Sequence, residues 1–231
     1  MLPLPPATEL PTRLPRLFGG LVLFGLGIAL MVRADLGLAP WDVFHQGVAE
    51  LTGLPIGRVT ILTGAVVLLL WIPLHERPGI GTIANVLVIG VVEDTALAVI
   101  DPVHSLALRI ALLVVGVYVF GPGSGLYIGA GLGPGPRDGL MTGLAKRGIS
   151  VRVARTIIEV LVLIVGFALG GTVGVGTILF VATVGPNVHW HLERMTVAVR
   201  AERGAALPGG AGGGTVPGPP SPARGGSADP E

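Results

Sequence analysis

The chain contains no cysteine among its 231 residues, which excludes disulfides, thiolate nucleophiles and thiolate metal sites. Charge is scarce as well: 13% of residues are charged, about half the ~25% usual in soluble domains. Neither sign is in excess, and a formal net charge of +1 gives no electrostatic case for nucleic acid as a partner. Catalytic signatures are missing too. There is no HExxH, no serine at a nucleophile elbow, and the serines before the C-terminal tail (Ser105, Ser124 and Ser150) stand in no motif, so the chain reads as no enzyme. No phosphate-cradling loop or other cofactor motif occurs, and no cofactor is expected. What is abundant is apolar: 51% of residues are hydrophobic and the mean hydropathy is +0.78, the composition of an integral membrane protein.

Long apolar windows run over 17–32, 59–74, 81–100, 110–128, 156–169 and 176–188, most of them near the length that crosses about 30 Å of hydrocarbon. The first follows Arg13 and Arg16 and is read as a retained span, because no cleavage pattern outweighs that role. Between the long windows lie two Gly/Pro-broken stretches, 34–51 and 130–147, each ending in an apolar helix of about three turns. From Gly204 to Glu231 the chain is almost wholly Gly, Pro, Ala and Ser, too poor in apolar area to offset the entropy of ordering, so a disordered tail is expected.

The sequence also repeats itself. LGLAPWD from Leu36 recurs as LGPGPRD from Leu132, so that Pro40 matches Pro136 and Asp42 matches Asp138; GIGTI from Gly79 recurs as GVGTI from Gly174, and Gly90 recurs as Gly185. The first pair of motifs is offset by 96 residues and the second by 95, registers that one deletion near Gly53 reconciles. The expected fold class is therefore all-α: a polytopic helical membrane protein of two sequence-related repeats, each with three long helices and one short Gly/Pro-broken helix. The boundaries are a Pro-rich segment 1–15, repeat one 16–103, repeat two 104–195 and the tail 196–231.

Basic residues leave two topologies open. If both broken stretches cross and the N-terminus is cytoplasmic, Arg13, Arg16, Arg58, Arg109, Lys146, Arg147, Arg152, Arg155 and Arg194 gather inside, Arg33, Arg77 and Arg137 lie outside, and eight crossings form parallel repeats. If the broken stretches are re-entrant, Arg77 and Arg137 move inside, Arg58 and Arg109 move outside, and three crossings per repeat make the halves inverted. The equivalence of Arg58 and Arg152 favours the first arrangement, which puts both on one side.

Candidate site residues follow from the broken stretches. Asp42 and Asp138 each come just after a Pro suited to open a helix; they serve either as simple caps of exposed N–H groups or as carboxylates lining a cavity at membrane depth. His45, one turn beyond Asp42, would share that cavity, although its counterpart is Met141. Arg155 and Glu159, four apart on one helix face, form either a helix-end ion pair or part of a substrate or proton site. Their counterparts are Thr60 and Gly64. Glu93 and Asp94, with Asn85 two turns earlier, mark either a solvated helix end or a place for proton coupling, since two adjacent buried carboxylates would keep a proton between them. His189 and His191 flank Trp190, but positions two apart point to different helix faces, so interfacial anchoring by Trp190 reads better than a metal site, and no metal is expected.

Taken together, LGLAPWDVFHQGVAELTGLPIG, the GIGTI/GVGTI pair and VRVARTIIEV resemble the YczE/YitT-type bacterial integral membrane proteins over residues 16–192. The resemblance implies a bacterial, multi-pass inner-membrane protein built on a duplicated unit, and brings no known reaction. The leading expectation is a small-molecule or ion transporter whose site lies midway through the membrane at the two broken helices, a placement typical of duplicated membrane folds with interrupted segments. The alternative is a non-transporting scaffold or accessory protein that holds a partner through Gly-rich faces. Expected partners are the lipid bilayer, an unidentified small molecule or ion and, given the small chain, a second copy in a homodimer. The N-terminus is expected in the cytoplasm.

Overall fold

Pro and Gly punctuate this chain, and the helices start and stop at them. The computed structural model describes residues 5–196, so the tail expected over 196–231 lies, apart from Thr196, outside the described residues. Eight helices follow in order: α1 (Leu10–Ala34), α2 (Pro40–Thr52), α3 (Ile56–Leu74), α4 (Ile80–Val99), α5 (Leu106–Gly129), α6 (Pro136–Ala145), α7 (Val151–Ala168) and α8 (Val175–Met195). No strand occurs among the described residues. Their lengths, 25, 13, 19 and 20 residues and then 24, 10, 18 and 21, run long, short, long, long twice over. α1 begins at Leu10, ahead of the boundary expected at Arg16, because Pro11 falls in its first turn, where the missing N–H is no loss. α1, α3, α4 and α5 are each long and apolar enough to cross a membrane. α7 is shorter, at 18 residues, and carries Arg152, Arg155 and Glu159 among them.

Glycine contacts fix the helix directions. Gly20 lies against Gly123 and Gly27 against Gly116, so α1 and α5 run antiparallel at the centre of the bundle. Gly25 touches Ile89 and Val92 while Arg33 reaches the Leu97 carbonyl, so α4 runs with α1. In the other half Gly121 lies against Asn187, Gly125 against His191 and Gly129 against Met195, so α8 runs with α5. The second set of four helices thus passes through the bundle in the opposite sense to the first.

Both short helices leave from and return to a single end. Arg109 at the start of α5 bonds the carbonyls of Ala34 and Asp35, and the start of α3 packs beside Asp94 near the end of α4, so segment 35–55 enters and returns where α1 finishes. At the opposite end Arg13 donates to the Ala130 carbonyl at 2.6 Å and Lys146 pairs with Glu76 at 2.7 Å, which places both ends of segment 130–150 beside the start of α1 and the end of α3. Arg58 and Arg152 therefore sit at opposite ends of the bundle, and their equivalence in sequence does not put them on one side.

The repeated motifs clasp each other crosswise. Gly81 N–H donates to the Leu132 carbonyl and Gly176 N–H to the Leu36 carbonyl, both at 2.8 Å, so each broken segment is held by the helix start of the other half. Gly37 (φ 111°) and Gly133 (φ 128°) make these crossings; a Cβ there would be strained and would press on Gly174 and on Gly79. Behind them the short helices pack on the second long helix of the opposite half, α2 on α7 and α6 on α3. Trp71 covers Gly139 on one side, and at the matching place Gly166 receives the α2 backbone at Val43 and Phe44.

Candidate functional site

The N-termini of α2 and α6 meet at the waist of the bundle, where Phe24 of α1 and Phe120 of α5 stack edge to face with ring centroids 4.5 Å apart. A cavity of about 350 Å³ opens there, walled by Phe24, Phe120, Trp41, Asn85, Ser124 and Arg137 among others. That volume is at the small end of the ~300–1,000 Å³ of ligand sites. Arg137 stands over the Trp41 ring, its guanidinium carbon 4.8 Å from the centroid, and Trp71 donates its indole N–H to the Pro136 carbonyl at 3.0 Å to hold the start of α6 in place.

Asp138 is exposed to the cavity and accepts a hydrogen bond from the Tyr127 hydroxyl at 3.2 Å. Asp42 is different: it is buried just behind the wall, with Oδ1 3.4 Å from His45 Nδ1 and 3.7 Å from Arg137 Nη2. Both gaps exceed good hydrogen-bond length, and Asp42 Oδ1 has no hydrogen-bond partner. It is no simple cap, because it occupies the third helical position and Ala39 precedes the helix as N-cap. His45 lines the cavity and is itself buried, its Nδ1 3.1 Å from the Thr60 hydroxyl. Thr60 in turn donates to Glu93 at 2.9 Å.

The pair Glu93 and Asp94 does not end its helix. α4 continues to Val99, Glu93 is fully buried with Oε1 unpartnered, and Asp94 accepts the Gly57 N–H at 2.7 Å. Arg155 and Glu159, linked at 2.9 Å, lie on the open side of the cavity together with His189. His191 packs away from it against Tyr118 of α5, and Trp190 stays exposed beneath Arg194, as the different faces of positions two apart require. Of the residues read from sequence, Asp138, His45, Arg155 and Glu159 share the cavity wall, and Asp42 supports it from behind. Arg137 and Trp41 were missed, although they are the two residues in which LGLAPWD and LGPGPRD differ just before the repeated Asp; that difference was the available signal.

Residues 11–193 match a family of unknown function, DUF6198. The chain belongs to this family. It is 38% identical to an uncharacterized protein of Haemophilus influenzae over 75% of this chain and 80% of that protein, and 34% identical to the uncharacterized membrane protein YczE of Bacillus subtilis over 80% of this chain and 88% of YczE. A further B. subtilis relative, the uncharacterized protein YyaS, is 25% identical over 74% of this chain and 87% of its own length. No solved structure matches the chain. The resemblance to YczE-type proteins is borne out, and family and apolar helices together make this a membrane protein of the all-helical class.

Proposed function

We propose that the protein is a small-molecule or ion transporter of the bacterial inner membrane, with six crossings and two re-entrant helices arranged as inverted repeats. The carrying observation is the waist cavity, flanked by the packed pair α3 and α4 on one side and by α7 and α8, which do not pack together, on the other. α3 and α4 cross at Gly57 and Gly90; α7 and α8 have no comparable packing. Two short helices aim their positive N-terminal ends at this space, the arrangement by which interrupted helices bind solutes at membrane depth.

Charge supports an orientation. Arg13, Arg16, Arg77, Lys146, Arg147, Arg152, Arg155 and Arg194 lie toward the end where α1 starts, against Arg33, Arg58 and Arg109 toward the other. By the positive-inside rule this supports an N-terminus in the cytoplasm. Because the chain lacks cysteine, single cysteines report this directly. A membrane-impermeant thiol reagent added to intact cells should label Ser105→Cys and spare Arg77→Cys; the reverse pattern would overturn the orientation and put the N-terminus outside.

Function itself is tested by melting the purified protein against metabolites, ions and lipids, since a ligand of the native state raises the melting temperature by mass action. A ligand that stabilises the natural chain and not Arg137→Gln would place binding at the waist. Stabilisation by lipid alone would turn the reading to a scaffold.

A further inference from the structure

Two buried carboxylate oxygens near the cavity, Asp42 Oδ1 and Glu93 Oε1, have no hydrogen-bond partner. Buried polar atoms left unpaired are uncommon and mark either a missing ligand or a functional group held ready. Here the two carboxylates are linked by a row of close polar contacts. His45 Nδ1 stands between Asp42 Oδ1 at 3.4 Å and the Thr60 hydroxyl at 3.1 Å; the Thr60 hydroxyl has two acceptors in reach, Glu93 Oε2 at 2.9 Å and the Ile56 carbonyl at 3.1 Å, and the carboxylate is the nearer. Of these four residues His45 and Thr60 reach the cavity wall; Glu93 is sealed behind them.

We propose that His45, Thr60 and Glu93 form a proton relay from the cavity to a buried proton-binding carboxylate, so that the ion coupled to the cavity's ligand is a proton. This deepens the transport reading and rests on it. When imidazolium His45 gives up its Nδ1 proton to Thr60 Oγ, the Thr60 hydroxyl proton passes to Glu93 Oε2; one N–H bond breaks, one O–H bond forms on the carboxylate, and the products are neutral imidazole and a carboxylic acid. Asp42 stabilises the imidazolium before transfer. The other charged groups acting on Glu93 are Asp94 beside it on α4 and Arg137 from α6. A metal ion fits less well, because among the described residues no three acidic or histidine side chains converge as ligands. The second half has no such relay: the matching positions are Asp138, Met141, Arg155 and Val188.

The test is infrared difference spectroscopy of the purified full chain in lipid, between mildly acidic and mildly alkaline buffer. The relay requires a carboxylic-acid carbonyl band that titrates, is lost in Glu93→Gln, is displaced in Thr60→Val and returns to its place in Thr60→Ser. A titrating band that survives Glu93→Gln, or the absence of any, overturns the proposal. Should Glu93→Gln fail to fold, the Thr60 pair decides alone, since an unmoved band in Thr60→Val is equally fatal. Ligand stabilisation is read separately: a ligand that binds equally in both buffers and in Glu93→Gln overturns the coupling and leaves transport standing, whereas a titrating Glu93 with no stabilising ligand removes transport and the coupling with it.

Discussion

Equivalent helix pairs behave differently in the two halves of this molecule. In the first, Gly57 of α3 meets Gly90 of α4 so closely that a Cβ on either would press into the other's carbonyl, and Gly64 meets Val86 farther along. In the second, the same positions hold Arg152 and Gly185, then Glu159 and Val181, and a Cβ on Gly185 would meet nothing within 4 Å. Two glycines let helix backbones approach and pack, which in a membrane is the main source of helix association. In the second half arginine stands in place of Gly57 and glutamate in place of Gly64, and the crossing opens although the partner glycine is kept as Gly185; the space becomes the polar side of a cavity. The closed half keeps the buried chain from His45 to Glu93, and the open half supplies Arg155, Glu159 and His189. Two helix pairs of matching sequence position thus differ in packing through a handful of side chains.

Cross-linking should show the largest contrast. A Cβ on Gly64 would lie 3.5 Å from Val86 Cβ, within the ~3.5–4.5 Å that a disulfide spans, so oxidation should link Gly64→Cys/Val86→Cys nearly completely. The matching pair Glu159→Cys/Val181→Cys should stay reduced on a denaturing gel. Efficient linkage of that second pair would mean that the α7/α8 gap closes in solution, and the static contrast would give way to two exchanging states.

Stability offers the next comparison. Gly90→Ala should cost about 2 kcal/mol or more, because the α3 backbone must retreat from the new methyl. Gly185→Ala should be neutral or gain up to ~1 kcal/mol from helix propensity. Equal losses in denaturant unfolding of the two variants would show the two crossings to be packed alike. A smaller effect is expected from Trp71→Phe, which leaves the Pro136 carbonyl without its buried donor, at about 1–3 kcal/mol in the same unfolding measurement. Smallest of all, Glu159→Gln should change stability by less than ~1 kcal/mol, since Arg155 is about half exposed and Glu159 is partly solvated. Its effect should appear instead in the melting shift produced by a cavity ligand, and a large loss of stability would make the pair architectural.

How far the residues alone revealed this depends on the distance of the partner. Helix starts at Pro40 and Pro136 were legible because proline fixes the first helical turn, and the pairing of Asp42 with Asp138 followed from the repeat itself. Burial of Glu93 was not legible: beside Asp94 it reads as a helix end, and only Thr60, 33 positions earlier and brought close by the α3/α4 crossing, supplies its donor. Arg137 was equally hidden, since its contact with Trp41 joins the two halves.

The residues alone established that this chain is helical and apolar, that its LGLAPWD and GIGTI motifs recur, and where the apolar runs are interrupted, because apolar run length, proline and glycine act locally. Only the tertiary structure decided that the second four helices run opposite to the first, that each broken segment is clasped by the other half, and that one crossing closes while its counterpart stays open. Those outcomes rest on contacts between residues far apart in the chain, where the size of a side chain at a helix crossing sets how near two backbones can come.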